Sequence, residues 1–294
     1  MLRAKKPLVS EARFKAVVYA NRGVGKTHFC CSFPDSYYID SEGLSSYPHF
    51  IKMLNDNNSD IVSLHDLTEI IKEVNALLFT KHHYKTLIID SLTFPAHLLS
   101  NMEADRLSKN GKTDGSDYGR NLAKSKRLTF ELGMLLCRLD MNCIVVCHEK
   151  TRFQNGEEVG KTSDANEKIE YSLGTVINLR RTGNHVRAFI EKSRYPELKA
   201  NELIEFSNGY EIISSRLGKN VFERVVIPEE LATQEQLSEF KRLTHALNVS
   251  EDIQIKWKIN ERSSSIEQMK KDSIQKYIDA MTKKTQPEEG SNNV

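Results

Sequence analysis

Residues 17–29 constrain the fold of this chain more than any other part of the sequence. They read Val-Val-Tyr-Ala-Asn-Arg-Gly-Val-Gly-Lys-Thr-His-Phe, which is a short apolar strand, a glycine-bearing loop, and Gly-Lys-Thr opening a helix. This matches the phosphate-binding pattern G-x-x-x-x-G-K-[ST], except that Ala20 stands where the first glycine is expected. Alanine fits there if the backbone keeps a negative φ. The stretch therefore predicts a strand, a phosphate loop (residues 20–27) and a helix within an α/β domain.

The residue types in the phosphate loop suit a nucleoside triphosphate. Glycines let backbone N–H groups close around phosphate oxygens, and the following helix adds free N–H donors. Lys26 is predicted to reach the β- and γ-phosphates, and the Thr27 hydroxyl to ligate Mg²⁺. We therefore predict ATP and Mg²⁺ as cofactors. The predicted nucleotide-binding residues are Asn21, Arg22, Gly23, Val24, Gly25, Lys26, Thr27 and His28.

Acidic residues end two further predicted strands, and a parallel sheet would bring those ends to one edge. Residues 84–91 form an apolar strand that ends at Asp90, whose carboxylate is predicted to face Mg²⁺ directly or through water. Residues 36–43 read as a strand that runs into a loop with Asp40 and Glu42. Both carboxylates are expected near the phosphates. Glu42 is a candidate general base for the attacking water, and a solvated turn carboxylate is the alternative.

A fourth strand is predicted over residues 142–150, with polar residues at its carboxyl end. His148 there is a candidate sensor of the γ-phosphate, or an ordinary polar loop residue. Amphipathic patterns predict helices over 66–79 and 122–139, each leading into one of the apolar strands.

Composition sets outer bounds on the class of protein. The chain has 294 residues, 39% of them hydrophobic, which suits one sizeable α/β core and an appendage. Its net charge of +2 means that nucleic-acid binding would need local basic patches. No apolar run approaches the roughly 20 residues of a membrane span, and residues 1–7 lack the apolar region of a signal peptide. The five cysteines form no C-x-x-C pair, so buried free thiols are expected.

Changes of composition predict the organisation of the chain. We expect a flexible basic lead-in (1–13), an ATPase domain (14–227), a small helical module (228–282) and a disordered tail (283–294). Within the domain, polar stretches predict mobile loops, and alternating residues predict two hairpins. The loops are 103–120 and 151–170, and the hairpins are 175–181 with 185–192, and 203–216 turning at Asn208-Gly209.

Four of these elements occur in a familiar order, with Asp117-Tyr118-Gly119 before the long helix. They are Gly23–Thr27, Tyr38–Gly43, Leu87–Ser91 and His148–Lys150. Together they resemble the RecA-like ATPases of phages, of the single-strand-annealing and recombination type, over about residues 14–215. The resemblance implies an α/β, RecA-like P-loop NTPase fold with a mainly parallel central sheet flanked by helices, plus a small C-terminal α-helical module.

The same resemblance implies a function and a setting. It implies an ATP-hydrolysing protein that acts on single-stranded DNA in recombination, annealing or repair, alongside a single-strand-binding protein. A homo-oligomeric ring or filament is implied. We expect it in the cytoplasm (the host cytoplasm if phage-encoded), neither secreted nor attached to a membrane.

Several roles come from the resemblance position by position. Glu42 matches the catalytic glutamate after the second core strand, and His148 matches the polar sensor. Residues 192–195 look like the Lys-x-Arg-aromatic element of RadA-type proteins, whose cations reach a neighbouring subunit's γ-phosphate. The predicted catalytic set is therefore Glu42, Lys26, His148, Lys192 and Arg194. A solvated strand-end pair is the alternative for Lys192 and Arg194.

The charge pattern does not single out one surface for contact with DNA. Residues 151–170 are more acidic than a DNA-contacting loop should be. A better candidate patch, which could equally be a solvated helix face, comprises Arg106, Lys109, Lys112, Arg120, Lys124, Lys126 and Arg127. Two other functions stay open. One is an ATP-gated adaptor or loader that docks a partner through the helical module and Trp257, and the other is a P-loop nucleotide kinase.

Overall fold

The computed structural model describes residues 12–43, 46–109, 119–165, 167–205, 208–263 and 265–285. The chain divides into two compact units. One unit contains residues 12–74 and His82–Val226, and the other contains Asn75–Lys81 and the described residues from Ile227 onward.

Among the described residues, nine strands form one sheet in the first unit. They are β1 Lys15–Ala20, β2 Ser36–Asp40, β3 Asp60–Ser63, β4 Thr86–Asp90, β5 Asn142–Gln154, β6 Glu157–Ser163, β7 Thr175–Thr182, β8 His185–Lys192 and β9 Leu203–Glu205. The order is β3-β2-β4-β5-β1-β7-β8-β9, and β6 pairs with β5 off this path. Pairs from β3 through β7 along that order are parallel, while β6, β8 and β9 pair antiparallel. The predicted fold class, with a mainly parallel central sheet, is confirmed.

Helices flank the sheet and make up the C-terminal region. Those before residue 226 are α1 Lys26–Cys31, α2 Pro48–Asp56, α3 Leu67–Phe79, α4 Thr93–Lys109, α5 Arg120–Arg138, α6 Glu167–Leu173, α7 Gly209–Leu217 and α8 Asn220–Glu223. Those after it are α9 Gln234–Ala246, α10 Glu251–Asn260 and α11 Lys271–Thr285. None of the described helices combines the length and apolar character needed to cross a membrane.

The hydrophobic pattern explains the core of the first unit. β1 and β4 are apolar runs that are buried along nearly their whole length, as expected for parallel strands covered on both faces. The helices predicted over 66–79 and 122–139 are confirmed, and the leucine stripe of α5 is buried. All five cysteines have free thiols, and only Cys137 is partly exposed.

The sheet brings the predicted strand ends together. β1 pairs with β5 so that Ala20 lies opposite His148, and β2 pairs with β4 so that Asp40 lies opposite Asp90. The carboxyl ends of β1, β2 and β4 therefore lie level with His148 in the middle of β5, at one edge of the parallel part of the sheet and next to the phosphate loop.

Where the structure describes them, the two predicted loops are mostly helix or strand. Residues 103–109 belong to α4, while 110–118 lie outside the described residues. The stretch 151–170 contains the end of β5, all of β6 and the start of α6. The hairpin turns at Asn155 and Gly156, whose φ angles of 53° and 86° suit an Asn-Gly turn. Its charged residues face solvent, which hid the strand pattern in the sequence.

The hairpin predicted over 203–216 is wrong. β9 ends at Glu205, and Gly209 begins α7. The side chain of Asn208 accepts a hydrogen bond from the backbone N–H of Glu211 at 3.1 Å, so it caps a helix. The Asn-Gly pair, which is typical of a turn, here starts a helix.

Both predicted flexible ends are shorter than expected where the structure describes them. Arg13 is only 6% exposed, and its guanidinium pairs with Asp140 at 3.1 Å and with the carbonyl of Arg224 at 3.0 Å. Residues 1–11 lie outside the described residues. At the other end, α11 continues to Thr285, three residues into the predicted tail of 283–294.

The second unit has its own small core. Thr233 and Gln236 form the predicted capping box at the start of α9. Trp257 packs edge-on against Phe240 at 5.6 Å and stacks on Tyr277 at 4.9 Å between ring centroids. Trp257 is therefore partly buried against this core rather than fully exposed, and its role in docking a partner stays a prediction.

Candidate nucleotide site

A cleft of about 550 Å³ opens at the carboxyl edge of the sheet. We call it the central cleft. Six of the predicted nucleotide-binding residues line it: Arg22, Gly23, Gly25, Lys26, Thr27 and His28. Asn21 and Val24 belong to the same loop but do not line the cleft. Asn21 turns its side-chain oxygen to the backbone N–H of Arg22 at 2.8 Å.

The phosphate loop has the backbone that its glycines suggested. Gly23 and Gly25 have φ angles of 73° and 116°, which side-chain-bearing residues rarely adopt. Ala20 ends β1 and has no positive φ, so alanine is accommodated. The ammonium of Lys26 donates to the carbonyls of Ala20 at 3.1 Å and Asn21 at 3.2 Å. Burial lowers the pKa of Lys26, and the nearby carboxylates of Asp90 and Glu42 partly offset that effect.

A buried hydroxyl and a buried carboxylate meet behind the loop. Thr27 Oγ1 donates to Asp90 Oδ2 at 2.9 Å, and the Tyr38 hydroxyl donates to the same oxygen at 2.6 Å. Burial raises the pKa of Asp90, while the two hydrogen bonds act against that rise. A hydroxyl and a carboxylate are the oxygen donors that Mg²⁺ takes beside a triphosphate. The described residues contain no group of three or more His, Cys, Asp or Glu side chains placed to hold a metal. The Thr27 hydroxyl and the Asp90 carboxylate fit an ion whose other ligands would come from the nucleotide and water.

Glu42 and His148 lie together at the mouth of the central cleft. His148 Nε2 is 2.8 Å from Glu42 Oε1, and the Ser91 hydroxyl donates to that same oxygen. The hydrogen bond from His148 lowers the pKa of Glu42, and Ser91 adds to the effect, against burial. Glu42 is therefore held as a carboxylate facing the cleft.

Asp40 has a different position from the one expected. Its Oδ1 accepts the backbone N–H groups of Glu42 at 3.0 Å and Gly43 at 2.8 Å. Asp40 is almost fully buried and does not line the central cleft. Its carboxylate shapes the turn that presents Glu42.

Two aromatic residues of the cleft were not anticipated from the sequence. Tyr47 and Phe50, at the start of α2, line it together with the phosphate loop. Phe50 also borders a neighbouring cavity of about 420 Å³, together with His28, His49 and Arg181. Neither α2 nor this cavity has a motif in the sequence, although Tyr47-Pro48 fits a helix start with Pro at its first position.

Lys192 and Arg194 do not reach the central cleft of their own chain. Lys192 pairs with Val176, near the amino end of β7, which is the opposite end of the sheet from the phosphate loop. Both cations lie 5.5 Å from the ring centroid of Tyr171, and Arg194 also donates to the Tyr171 carbonyl at 2.9 Å. Tyr171 is 72% exposed, so the group stands at the surface.

The class of protein follows from how these groups meet. A glycine loop closed by its own lysine, with a serine/threonine hydroxyl held by a strand-end carboxylate, is how P-loop NTPases bind a triphosphate. The comparison with protein families agrees at a finer level. The AAA domain family matches residues 12–201, and the chain belongs to that family.

Two other comparisons describe its neighbourhood. No curated protein matches the sequence. Among solved structures, the chain is similar to the crystal structure of the RadB recombinase. The TM-score is 0.46 and the sequence identity 15%, over 66% of this chain and 87% of that chain.

Proposed function

We propose that this chain binds Mg·ATP in the central cleft and hydrolyses it while acting on single-stranded DNA. The observation that carries the ATPase part is the arrangement around the cleft. Lys26 lies in the phosphate loop, Thr27 is bonded to Asp90 behind it, and Glu42 lies at the mouth. Recombination, annealing or repair, a phage origin, cytoplasmic location and a single-strand-binding partner are proposed from the sequence resemblance.

Each residue has a role in this proposal. The loop amides and Lys26 hold the phosphates, and Thr27 and Asp90 hold the metal. Mg²⁺, when bound, supplies positive charge beside the β- and γ-phosphates. Glu42 orients the attacking water and takes its proton, while His148 holds the Glu42 carboxylate and faces the γ-phosphate. Lys192 or Arg194 of a neighbouring copy contributes the cation that stabilises charge developing in the transition state.

The nucleoside has a place beside the phosphates. The cavity that adjoins the central cleft shares Gly25, His28 and Phe50 with it, so a chain of phosphates in the loop leads into this second space. His49 and Phe50 present adjacent rings there, with centroids 3.9 Å apart. Aromatic and imidazole faces suit a base. We propose that the base of the nucleotide lies there.

A further cavity, separate from the central cleft and from the cavity proposed for the base, supports the DNA part of the proposal. It has a volume of about 520 Å³, and we call it the lysine cavity because Lys126, Lys150 and Lys168 line it. Asp164 also lines this cavity, and its carboxylate pairs with Lys150 at 3.2 Å and with His97 at 3.0 Å. Lys126 belongs to the basic patch proposed from the sequence, whereas Arg106 and Lys124 of that patch pair with Glu103. Its lining has three lysines and two carboxylates, Asp164 and Glu167, and this excess of positive charge suits the phosphates of a polynucleotide.

The lysine cavity is also linked to the central cleft. The backbone N–H of Asp164 donates to the carbonyl of His148 at 2.7 Å. The Thr93 hydroxyl accepts the His148 N–H at 3.0 Å and donates to the Asp164 carbonyl at 3.3 Å. An anion that draws Lys150 away from Asp164 would thus act on the backbone that carries His148. This contact supports a turnover rate that responds to DNA.

Single-stranded DNA is expected to raise ATP turnover and to bind with a strong dependence on salt. Each phosphate contact contributes about 0.7 to the slope of log affinity against log salt. Lys126→Ala and Lys150→Ala should each lower that slope by about this amount. Fluorescence anisotropy with a labelled oligothymidylate across a salt series measures it, and phosphate release measures turnover.

Lys161→Ala is the matched control for the lysine variants. Lys161 is on β6, pairs with Glu158 at 3.0 Å and does not line the lysine cavity. For Lys161→Ala, the slope of log affinity against log salt should equal that of the unsubstituted chain. A flat salt response, or no binding, would remove the DNA part and leave the ATPase intact. Phosphoryl transfer to a nucleoside monophosphate would favour the kinase.

The cation supplied by a neighbour is tested by mixing two inactive chains. Arg194→Ala keeps its phosphate loop but lacks the cation, whereas Lys26→Ala lacks the loop lysine but keeps Arg194. Each alone should be nearly inactive, and their mixture should regain turnover because one chain completes the site of the other. Phosphate release is measured at several protein concentrations.

The control mixture contains Arg194→Ala and a chain that carries both substitutions. It should stay inactive, because neither partner supplies the cation. If the Arg194→Ala chain alone turned over ATP normally, or if no activity returned on mixing, Arg194 would be only a surface residue packed on Tyr171.

A further inference from the structure

Tyr38 is a buried phenol with its hydroxyl in the nucleotide site. Its side chain is 0% exposed, and its hydroxyl lies 2.6 Å from Asp90 Oδ2. β2 and β4 pair so that Tyr38 lies opposite Ile88, and Asp90 is two residues further on the same face of the sheet. The phenol therefore reaches along the strands to the carboxylate. A position that only filled the core would be served by phenylalanine, without the cost of burying a hydroxyl.

The direction of the hydrogen bonds follows from the groups involved. The Thr27 and Tyr38 hydroxyls each donate their single proton to Asp90 Oδ2, and a carboxylate that binds Mg²⁺ is ionised and can only accept. With its proton committed in this way, Thr27 has its oxygen lone pairs left to bind a cation. The orientation of the Thr27 hydroxyl thus depends on where Oδ2 lies, and Tyr38 is the second group that holds Oδ2.

We propose that Tyr38 is a positioning residue for the magnesium ion of the nucleotide complex. It fixes the Asp90 carboxylate, and through it the Thr27 hydroxyl, before the ion arrives. This inference rests on the proposed function, since a chain that bound no Mg·ATP would have no ion to position. Partners of this kind, one layer behind the ligands, typically change metal affinity 10- to 100-fold when they are removed.

The same strand provides a matched control. Tyr37 precedes Tyr38 on β2, and its hydroxyl donates to Glu73, a carboxylate of α3. Side chains alternate along a strand, so Tyr37 faces away from Asp90. Tyr37→Phe therefore removes the same chemical group from a neighbouring position and leaves the nucleotide site unchanged.

The experiment compares ATP binding with and without the metal. Isothermal titration of the full chain with ATP in excess Mg²⁺, and again in EDTA, gives the two dissociation constants. For Tyr38→Phe, we expect the constant in Mg²⁺ and the half-saturating Mg²⁺ concentration to rise about tenfold or more. The constant in EDTA should be unchanged. Tyr37→Phe should change none of these values.

A double-substitution cycle tests whether Tyr38 acts through Asp90. Adding Tyr38→Phe to Asp90→Asn should give no further loss of Mg²⁺ dependence. The rise in Tm caused by Mg·ATP, compared with ATP in EDTA, gives the same comparison for a variant that unfolds more easily. An equal loss in Mg²⁺ and EDTA, a normal response to Mg²⁺, or an additive loss on Asp90→Asn would overturn the inference. If the unsubstituted chain took up no Mg·ATP, the proposed function itself would fail.

Discussion

Lys26→Ala is expected to abolish measurable ATP hydrolysis, with a loss of at least about a hundredfold. The ammonium lies in the phosphate loop, 3.1 Å and 3.2 Å from the carbonyls of Ala20 and Asn21, where the β- and γ-phosphates would take over its hydrogen bonds. Without it, the loop amides face the phosphates with no ammonium to stabilise the negative charge that develops on the phosphate oxygens as the bond breaks. Steady-state phosphate release in Mg·ATP measures the loss.

The stability of this variant separates a lost function from a lost fold. Burial lowers the pKa of Lys26, so the charged ammonium is costly in the folded chain. Alanine should therefore leave Tm unchanged or raise it, as is common when a functional residue is removed. Lys72→Ala, at an exposed position of α3, is the control and should change neither Tm nor turnover. Normal turnover by the Lys26→Ala chain would mean that the site is assigned to the wrong residues.

Local patterns were sufficient for the phosphate loop and the strands around it. Residues 20–27 can be recognised because backbone amides close on phosphate only with glycines at particular positions. β1, β4 and β5 can be recognised because parallel strands covered on both faces are continuous apolar runs. Asp90 ends β4, His148 lies within β5 and Glu42 follows β2, and the structure places all three on the central cleft.

The contacts between those strand ends were beyond local patterns. Glu42 meets His148 and Ser91 because β4 lies between β2 and β5, and strand order is decided by packing of the whole sheet. The roles of Asp40 and Tyr38 were missed for related reasons. Asp40 looks like any acidic strand end, and Tyr38 looks like any aromatic residue of a buried strand. The pairing of β2 with β4 is what brings the Tyr38 hydroxyl to Asp90. Asp40 instead accepts the N–H groups of its own turn, at Glu42 and Gly43.

The segments that are not buried on both faces were predicted least well. The β5–β6 hairpin has charged residues on both faces, so it shows no alternation of apolar and polar residues. Asn208-Gly209 favours a turn and a helix start equally well until the following residues are seen to pack on the core. Lys192 and Arg194 were recognised as a pair, but their packing on Tyr171 depends on α6, which lies in a stretch that was predicted to be a loop.

Glu42→Gln is expected to leave Mg·ATP binding nearly unchanged and to lower turnover about 100- to 1,000-fold. Glutamine has the shape of glutamate and still accepts the Ser91 hydroxyl, so the mouth of the cleft should keep its form. It cannot take a proton from water. Titration calorimetry with Mg·ATP measures binding, and single-turnover hydrolysis measures the chemical step. Glu73→Gln removes a carboxylate that accepts the Tyr37 hydroxyl away from the cleft, and it should have normal turnover.

His148→Ala gives a graded test of the same carboxylate. The hydrogen bond from His148 is the main cause that holds the pKa of Glu42 below its usual value. Without it the pKa of Glu42 rises, a smaller fraction is ionised at any acidic pH, and the acid limb of the turnover profile moves to higher pH. Glu42→Gln should lose that limb together with the activity. Normal turnover in Glu42→Gln, or an acid limb that stays in place in His148→Ala, would mean that the water is activated by another group.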